Sequence, residues 1–189
     1  KFRKAIEIDP KFVHAHNNWG IVLAKLKRYS KAIEKYQKAL EIDSKYVNAY
    51  INWGNALEDI GKYNEAIEKY QKAVNIDPEN ADAYNKWGGA IYNLGRYDES
   101  IEKYQKSIEI DPQYFDAYYN WGLALCGLAK YEESIEIYKK AVEINPKDAD
   151  VYIDLGGAFA NLSRHEESIR MYQKAIEIEP KNVEAYTHW

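Results

Sequence analysis

The side chains with the greatest chemical reach in this chain stand in two rows. Asn18, Asn52, Lys86, Asn120, Asp154 and His188 follow one another at intervals of 34, and so do His14, Asn48, Asp82, Asp116, Asp150 and Glu184. Each asparagine carries a donor and an acceptor, so a ladder of them pairs with an extended peptide backbone whatever its side chains are. The carboxylates add a negative field that favours a neutral or basic segment. Nucleophilic and metal chemistry have less to work with. The four histidines, His14, His16, His165 and His188, are scattered, and the first two lie two apart, which on a helix sends them to different faces and spoils a chelate. The only cysteine, Cys126, has no histidine at useful spacing and reads as a small buried or groove-lining thiol. There is no Gly-rich phosphate loop, G-x-S-x-G elbow or H-E-x-x-H. The expected site therefore binds and does not catalyse, without metal or cofactor.

The elements that position these rows follow the same ruler. Trp-Gly recurs at Trp19-Gly20, Trp53-Gly54, Trp87-Gly88 and Trp121-Gly122, with Leu155-Gly156 and Trp189 in register. Pro10, Pro78, Pro112, Pro146 and Pro180 share one register too, and Ser44 occupies its vacant slot. The chain divides into full units 13–46, 47–80, 81–114, 115–148 and 149–182, with a second-helix half unit at 1–12 and the start of a further first helix at 183–189. In the second unit, Tyr50, Trp53, Leu57 and Ile60 recur at helical spacing, Gly61 interrupts, and Tyr63, Ala66, Ile67, Tyr70, Ala73 and Val74 resume it. That is two amphipathic helices joined by a tight turn, the second ending at Asp77-Pro78, where proline disfavours the helical region for the residue before it.

Small residues in fixed places imply close packing. Gly20, Gly54, Gly88, Gly122 and Gly156 sit mid-helix, where glycine costs about 1 kcal/mol relative to alanine, so their recurrence predicts a close crossing. Ala32, Ala66, Ser100, Ser134 and Ser168 each precede Tyr36, Tyr70, Tyr104, Tyr138 or Tyr172 by four, a large ring one turn along the same face. Glu34-Lys38, Glu68-Lys72, Glu102-Lys106 and Glu136-Lys140 have the favourable order for ion pairs on a solvated outer face.

Helical spacing also names the face that avoids the core: in the second unit, Asn48, Ile51, Asn52, Asn55, Glu58 and Asp59. Extended along the chain, the candidate binding surface comprises Asn18, Asn48, Asn52, Asn55 and Asp59, then Asp82, Lys86 and Tyr92, then Asp116, Tyr119, Asn120, Asp150 and Asp154. Its acids outnumber Lys25 and Lys86, so the surface is expected to be negative toward the C-terminal half. Tyr92 and Tyr119 are expected to act as rigid, half-polar anchors whose loss weakens a partner with little effect on stability. Trp53 is expected in the core, its truncation costing about 3–5 kcal/mol.

Composition narrows the partner. Charged residues make up 30% of the 189 positions and nearly cancel, leaving a net charge of -4, so no broad basic face for nucleic acid is available. No apolar run approaches the roughly 18 residues of a membrane span, and the first residues lack a signal peptide's apolar stretch. A single cysteine fits a reducing compartment, and the cytoplasm is the expected location. The only methionine is Met171, so the chain reads as a piece of something longer.

These residues resemble the tetratricopeptide repeat family, with its aromatic, Leu-Gly, a further large residue, an Ala four before an aromatic, and a closing Pro. One departure is systematic: Tyr50, Trp53-Gly54 and Leu57 stand where the family has Trp, Leu-Gly and Tyr, an exchange of bulk between neighbouring core sites. The resemblance implies an all-α, right-handed superhelical solenoid of antiparallel helix pairs, first helices lining a concave groove that takes an extended peptide or short helix of another protein. The row through Asn18, Asn52 and Asn120 is similar to the asparagine ladder in the docking arm of O-linked N-acetylglucosamine transferases; Lys86, Asp154 and His188 depart from it. A composition rich in Lys, Ile and Asn accounts for the same asparagines equally well. The family's carboxylate clamp needs lysine where Asp82, Asp116 and Asp150 stand, so acidic chaperone tails are not expected to bind. Two other readings are head-to-tail self-assembly through the half units, carrying Phe2, Ala5, Ile6, Tyr186 and Trp189, and the substrate-docking arm of a larger enzyme.

Overall fold

The computed structural model describes residues 4, 6 and 8–188, and between its helices lie only turns and short connections. It falls into two compact units, Lys1–Gly95 and Arg96–Trp189. The first holds α1 (Val13–Lys25), α2 (Tyr29–Ile42), α3 (Val47–Glu58), α4 (Tyr63–Ile76) and α5 (Ala81–Tyr92). The second holds α6 (Tyr97–Ile110), α7 (Phe115–Gly127), α8 (Tyr131–Ile144), α9 (Ala149–Asn161), α10 (His165–Ile178) and the short α11 (Val183–His188). First helices begin at 13, 47, 81, 115, 149 and 183, one every 34 residues, and those at 13, 47, 115 and 149 are each followed within their unit by an antiparallel second helix. Phe2, Ala5 and Trp189 lie outside the described residues.

Local chemistry sets the boundaries. The first helices α1, α3, α5, α7 and α9 each close with a residue in the left-handed region, at Lys27, Gly61, Gly95, Ala129 and Ser163. At four of these turns the next residue's N–H returns to the carbonyl five back: Arg28 to Leu23, Lys62 to Leu57, Lys130 to Leu125 and Arg164 to Phe159. These are Schellman closures, which satisfy the carbonyls that a helix end leaves open. Only glycine takes that conformation without strain, yet Lys27, Ala129 and Ser163 hold it as well. After the second helices, Asp43, Asp77, Asp111 and Asn145 each accept the N–H two residues on, making the turn into the next pair. Asn80 and Asp148 then cap α5 and α9 by accepting from Ala83 and Val151.

In the pairs α1–α2, α3–α4, α7–α8 and α9–α10 the core is a second-helix tyrosine laid over a first-helix glycine. Tyr36 and Tyr70 in the first unit, and Tyr104, Tyr138 and Tyr172 in the second, are at most 4% exposed. A methyl group on Gly54 would stand 2.5 Å from Tyr70 Cε1, and one on Gly156 would stand 2.7 Å from Tyr172 Cε1. The glycine the sequence repeats is thus a seat for the ring of its own hairpin partner.

Several side chains fall elsewhere than the spacing suggests. Trp53 is half-buried at the edge of its cluster with the Lys69 ammonium 4.5 Å over its ring, and the fully buried ring of that repeat is Tyr70. Ile51, read onto the open face, is 6% exposed, whereas Ile60, read into the core, is 42% exposed. Most ion pairs among the described residues span three residues, as in Lys38–Glu41, Lys62–Glu65, Lys139–Glu136 and Lys174–Glu177, while Lys69–Glu68 and Lys103–Glu102 join neighbours; Lys38 turns to Glu41 and not to Glu34.

Helix contacts give each unit an inner and an outer side. In the first unit α1 touches α3 and α3 touches α5, while the backbones of α2 and α4 stay apart. In the second, α7 touches α9 and α9 touches α11, while α8 and α10 stay apart. First helices therefore converge on the inner side of each unit and second helices splay on the outer side.

Candidate functional site

In the first unit the inner side carries amides. Asn17 is only 3% exposed and sits at a register where Ile51, Asn85, Tyr119 and Ile153 stand in other repeats. Its carbonyl accepts from Asn52 Nδ2 at 3.0 Å, and its own amide reaches Asn18 Oδ1 at 3.4 Å. Three asparagines from α1 and α3 are thus chained across the join between repeats. Sequence spacing named Asn18 and Asn52 and passed over Asn17; a recurring asparagine, Asn17 and Asn85, at a register that holds Ile51 and Ile153 was the available signal.

Beside this chain a pocket of about 170 Å³ is floored by Ile21, Ala24 and Ala56 and rimmed by Lys25, Asn52, Asn55 and Asp59. The hydroxyl of buried Tyr36 faces the same pocket, and desolvation, with the nearby Asp59 carboxylate, pushes its pKa up to about 12. It is a neutral polar group there at any physiological pH.

One turn further along, Tyr70 extends its hydroxyl from α4 onto the inner side, 2.5 Å from Glu58 Oε2 and 2.7 Å from Asn55 Oδ1. Burial raises the Glu58 carboxyl above its ordinary value, opposed by the hydroxyl of Tyr70 and the charge of Lys86. The Tyr70 hydroxyl is raised in turn, first by burial and then by Glu58. The single Tyr70 proton serves one of these two acceptors at a time, so Glu58 and Asn55 share it. Asn48 and Asp59 are exposed, and Asp82, Lys86 and Tyr92 are half-buried on the same series of helices.

In the second unit the inner side is acidic. Tyr119, Leu123, Asp150, Ile153, Asp154 and Glu184, from α7, α9 and α11, surround a pocket of about 260 Å³. The Tyr119 hydroxyl donates to Asp154 Oδ2 at 2.7 Å, and its ring stacks on Phe115 with centroids 6.1 Å apart. Burial first, and then Glu184, Asp150 and Asp148, raise the Asp154 carboxyl above its ordinary value; only the Tyr119 hydroxyl pulls it down. Asp150 is raised as well, by burial and then by Asp148, Glu179 and Glu184. Among the described residues none of Asp116, Asp150, Asp154 or Glu184 is in an ion pair. Tyr119 is not the loosely attached anchor that its spacing suggests: half-buried, stacked and hydrogen-bonded, it belongs to the packing of its unit.

The structure thus gathers Asn52, Asn55 and Asp59 in one unit and Tyr119, Asp150 and Asp154 in the other. Asn18 joins the first group through Asn17, while Asn48 and Asp116 stand exposed outside both pockets and half-buried Asn120 lines neither. Glu184, Leu123 and Ile153 complete the second pocket. No helix among the described residues is long and apolar enough to cross a membrane.

Antiparallel helix pairs repeating every 34 residues, with polar first-helix faces on the inner side, define a repeat-built scaffold for protein–protein interaction. A family model described as "TPR repeat" matches residues 23–61, 54–95 and 88–128, and one described as "Tetratricopeptide repeat" matches 113–181. The chain belongs to the tetratricopeptide repeat family, whose members are typically non-catalytic. No curated protein matches it in sequence. Among solved structures it is similar to YrrB, described as a TPR protein with an unusual peptide-binding site. The identity is 26%, with 98% of this chain and 96% of that one covered and a TM-score of 0.73. It is 30% identical to a MamA structure over 86% of this chain and 95% of that one, with a TM-score of 0.77. Pseudomonas aeruginosa pilF, at 20% identity over 93% and 80% of the two chains, shares the fold with a TM-score of 0.83.

Proposed function

We propose that this chain holds an extended, neutral or basic segment of a partner protein against the inner, first-helix faces. In this reading the amides of the first unit engage peptide backbone and the acids of the second unit select charge. The observation that carries it is the cluster of Asp150, Asp154 and Glu184. Burial and mutual repulsion raise two of these carboxyls, and among the described residues no cation pairs with them. Leaving such charge together in a partly desolvated pocket costs stability, and an arriving lysine or arginine removes that cost. The likeness to YrrB, whose description names a peptide-binding site, supports the same reading.

On the amide side, Asn52 and Asn55 each keep donors toward a pocket whose apolar floor suits a small aliphatic side chain. Such a pairing binds backbone without reading sequence closely, so specificity falls to the charge-selecting unit.

The test is calorimetric titration with a lysine-containing and a glutamate-containing version of one unstructured peptide. The basic version is expected to bind the wild-type chain more tightly, and the Asp150→Asn, Asp154→Asn double variant to lose at least about tenfold in affinity for it. If the double variant binds the basic peptide as well as wild type, the acids do not select the partner.

A further inference from the structure

We propose a second docking surface on the outer side of the first unit, for a segment of another protein that carries carboxylates beside one or two bulky apolar side chains. It lies between α2 and α4, whose backbones do not meet, so that α3 is visible from outside as the floor of a furrow. Two adjoining hollows, of about 510 and 390 Å³, share Gln37 and Trp53. Together they are lined by Tyr50, Trp53 and the buried Leu57 of α3 and by Ile60 in the turn after it, a stripe of about 15 Å at 1.5 Å per residue. That length accommodates roughly five residues of extended chain at about 3.3 Å each.

Openness here is a property of these residues and not of the repeat as such. The difference lies at Trp53: at the matching register of the second unit Leu155 is 3% exposed, whereas Trp53 is half-buried, and Leu57 and its counterpart Phe159 are both buried. There Ile137 and Met171 stand where the first unit has Lys35 and Lys69, and both pack on the core. Apolar walls close over the stripe in one unit; in the other, lysines border it, with the Lys69 ammonium 4.5 Å over the Trp53 ring and that of Lys72 5.9 Å over Tyr50. An aromatic ring under a lysine suits an apolar residue flanked by acid, because the ammonium turns to the carboxylate while the ring meets the apolar group.

Charge at the two ends selects the same occupant. Lys27, Arg28 and Lys31 border Ile60 at one end, and Lys72 borders Tyr50 at the other. None of the four is in an ion pair among the described residues. The acids of the rim are mostly neutralised, Glu41 by Lys38 and Glu65 by Lys62. The furrow is therefore positive where the inner side of the second unit is negative, and the two surfaces sort partners of opposite charge.

The experiment uses a fluorescein-labelled hexapeptide, Glu-Glu-Leu-Phe-Glu-Glu, with its all-glutamine and its alanine-alanine analogues, read by fluorescence anisotropy against the 189-residue chain. Gln37 is exposed and lines both hollows, and lysine and glutamate keep its helix propensity. Gln37→Lys is expected to tighten the acidic probe about three- to tenfold, and Gln37→Glu to weaken it by a similar factor. A purely structural role for Gln37 does not produce opposite signs. Both analogues are expected to bind more weakly than the parent peptide. No saturable change with the acidic probe up to millimolar protein, equal binding of the glutamine analogue, or Gln37 variants that fail to move in opposite directions would each overturn the proposal.

Discussion

Two adjacent glycines on α9 provide a stringent test of the packing argument, because helix propensity treats them alike and the structure does not. Gly156→Ala and Gly157→Ala each gain up to about 1 kcal/mol from removing a mid-helix glycine. At Gly157 the added methyl meets nothing nearer than Tyr172 Oη at 3.9 Å, an ordinary contact, so the gain stands. At Gly156 it meets three carbons of the Tyr172 ring at 2.7, 2.9 and 3.0 Å, against the roughly 3.5–4.0 Å at which carbon atoms pack. The ring must retreat by nearly an ångström, and it has nowhere to go: Tyr172 is 4% exposed and packed with Ala149, Ile153, Ala175 and Ala185. Overpacking of this kind costs about 1–3 kcal/mol and more when the neighbours are rigid, so the net effect is a loss of about 1–2 kcal/mol. The two variants are expected to differ by about 2–3 kcal/mol. For a chain of this length that is a separation of about 4–12 °C in melting temperature, read by helical circular dichroism at matched concentration. A Gly156→Ala chain that melts at or above wild type would refute the idea that the repeated glycine seats the tyrosine.

Three more outcomes follow from the same geometry. Ala129→Gly and Ser163→Gly relieve a left-handed residue at a Schellman closure; strain relief of about 1–2 kcal/mol less the entropy of a new glycine leaves a gain of about 0.5–1 kcal/mol each in urea denaturation, whereas Gly61→Ala loses a similar amount. Tyr70→Ala is expected to cost about 3–5 kcal/mol and Trp53→Ala clearly less, since the first ring is fully buried and the second half-buried; equal costs would contradict the assignment of the core ring. Asp154→Asn is expected to raise stability near neutral pH by a few tenths to about 1 kcal/mol while weakening a basic peptide. Because burial raises the Asp154 carboxyl in the folded state, its penalty is absent below the 3.8 of an ordinary aspartate and grows as pH rises through the raised value. The advantage of the variant in thermal melts should therefore shrink toward pH 3, and an advantage that grew on acidification would sink the argument.

Much of the architecture was legible because a repeat states its own register six times over. Trp-Gly and the prolines place every helix start, since a helix pair closed by a left-handed residue tolerates no insertion without losing its stacking partner. What periodicity could not resolve was which of two adjacent apolar stripes lies deepest. On α3 and the turn after it both Tyr50–Trp53–Leu57–Ile60 and Ile51 are apolar at helical spacing, and the pattern alone ranks the larger stripe first. The structure buries Ile51 and leaves Ile60 at 42% exposure, because α2 and α4 diverge over the end of the stripe while α1 and α5 converge behind Ile51. The site was legible to the same depth. Spacing gave the rows through Asn52 and Asp154, but the Tyr70 hydroxyl that fixes Asn55 and Glu58 comes from the second helix, whose tyrosines read as rings alone. Tyr119 was read onto the open stripe although its register is buried in other repeats, at Asn17, Ile51 and Ile153, and the contacts with Phe115 and Asp154 tie it to the packing.

The tyrosines link the two levels. A phenylalanine at position 70 would fill the same seat above Gly54, yet it would leave Glu58, a half-buried carboxylate, without the hydroxyl that it accepts from. The hydroxyl is thus a support reaching through the hairpin from the core to the inner surface, where Glu58 and Asn55 share it. In the second unit the same function passes to another residue: the Tyr138 hydroxyl lies 3.8 Å from Cys126 Sγ, and Tyr119 on the first helix takes over the acid by donating to Asp154. One packing motif therefore supports an amide-rich face in one unit and an acid-rich face in the other, according to whether the tyrosine that meets the surface comes from the second helix or the first. Core geometry can then be kept from repeat to repeat while surface chemistry varies, as a scaffold for partners of different charge requires.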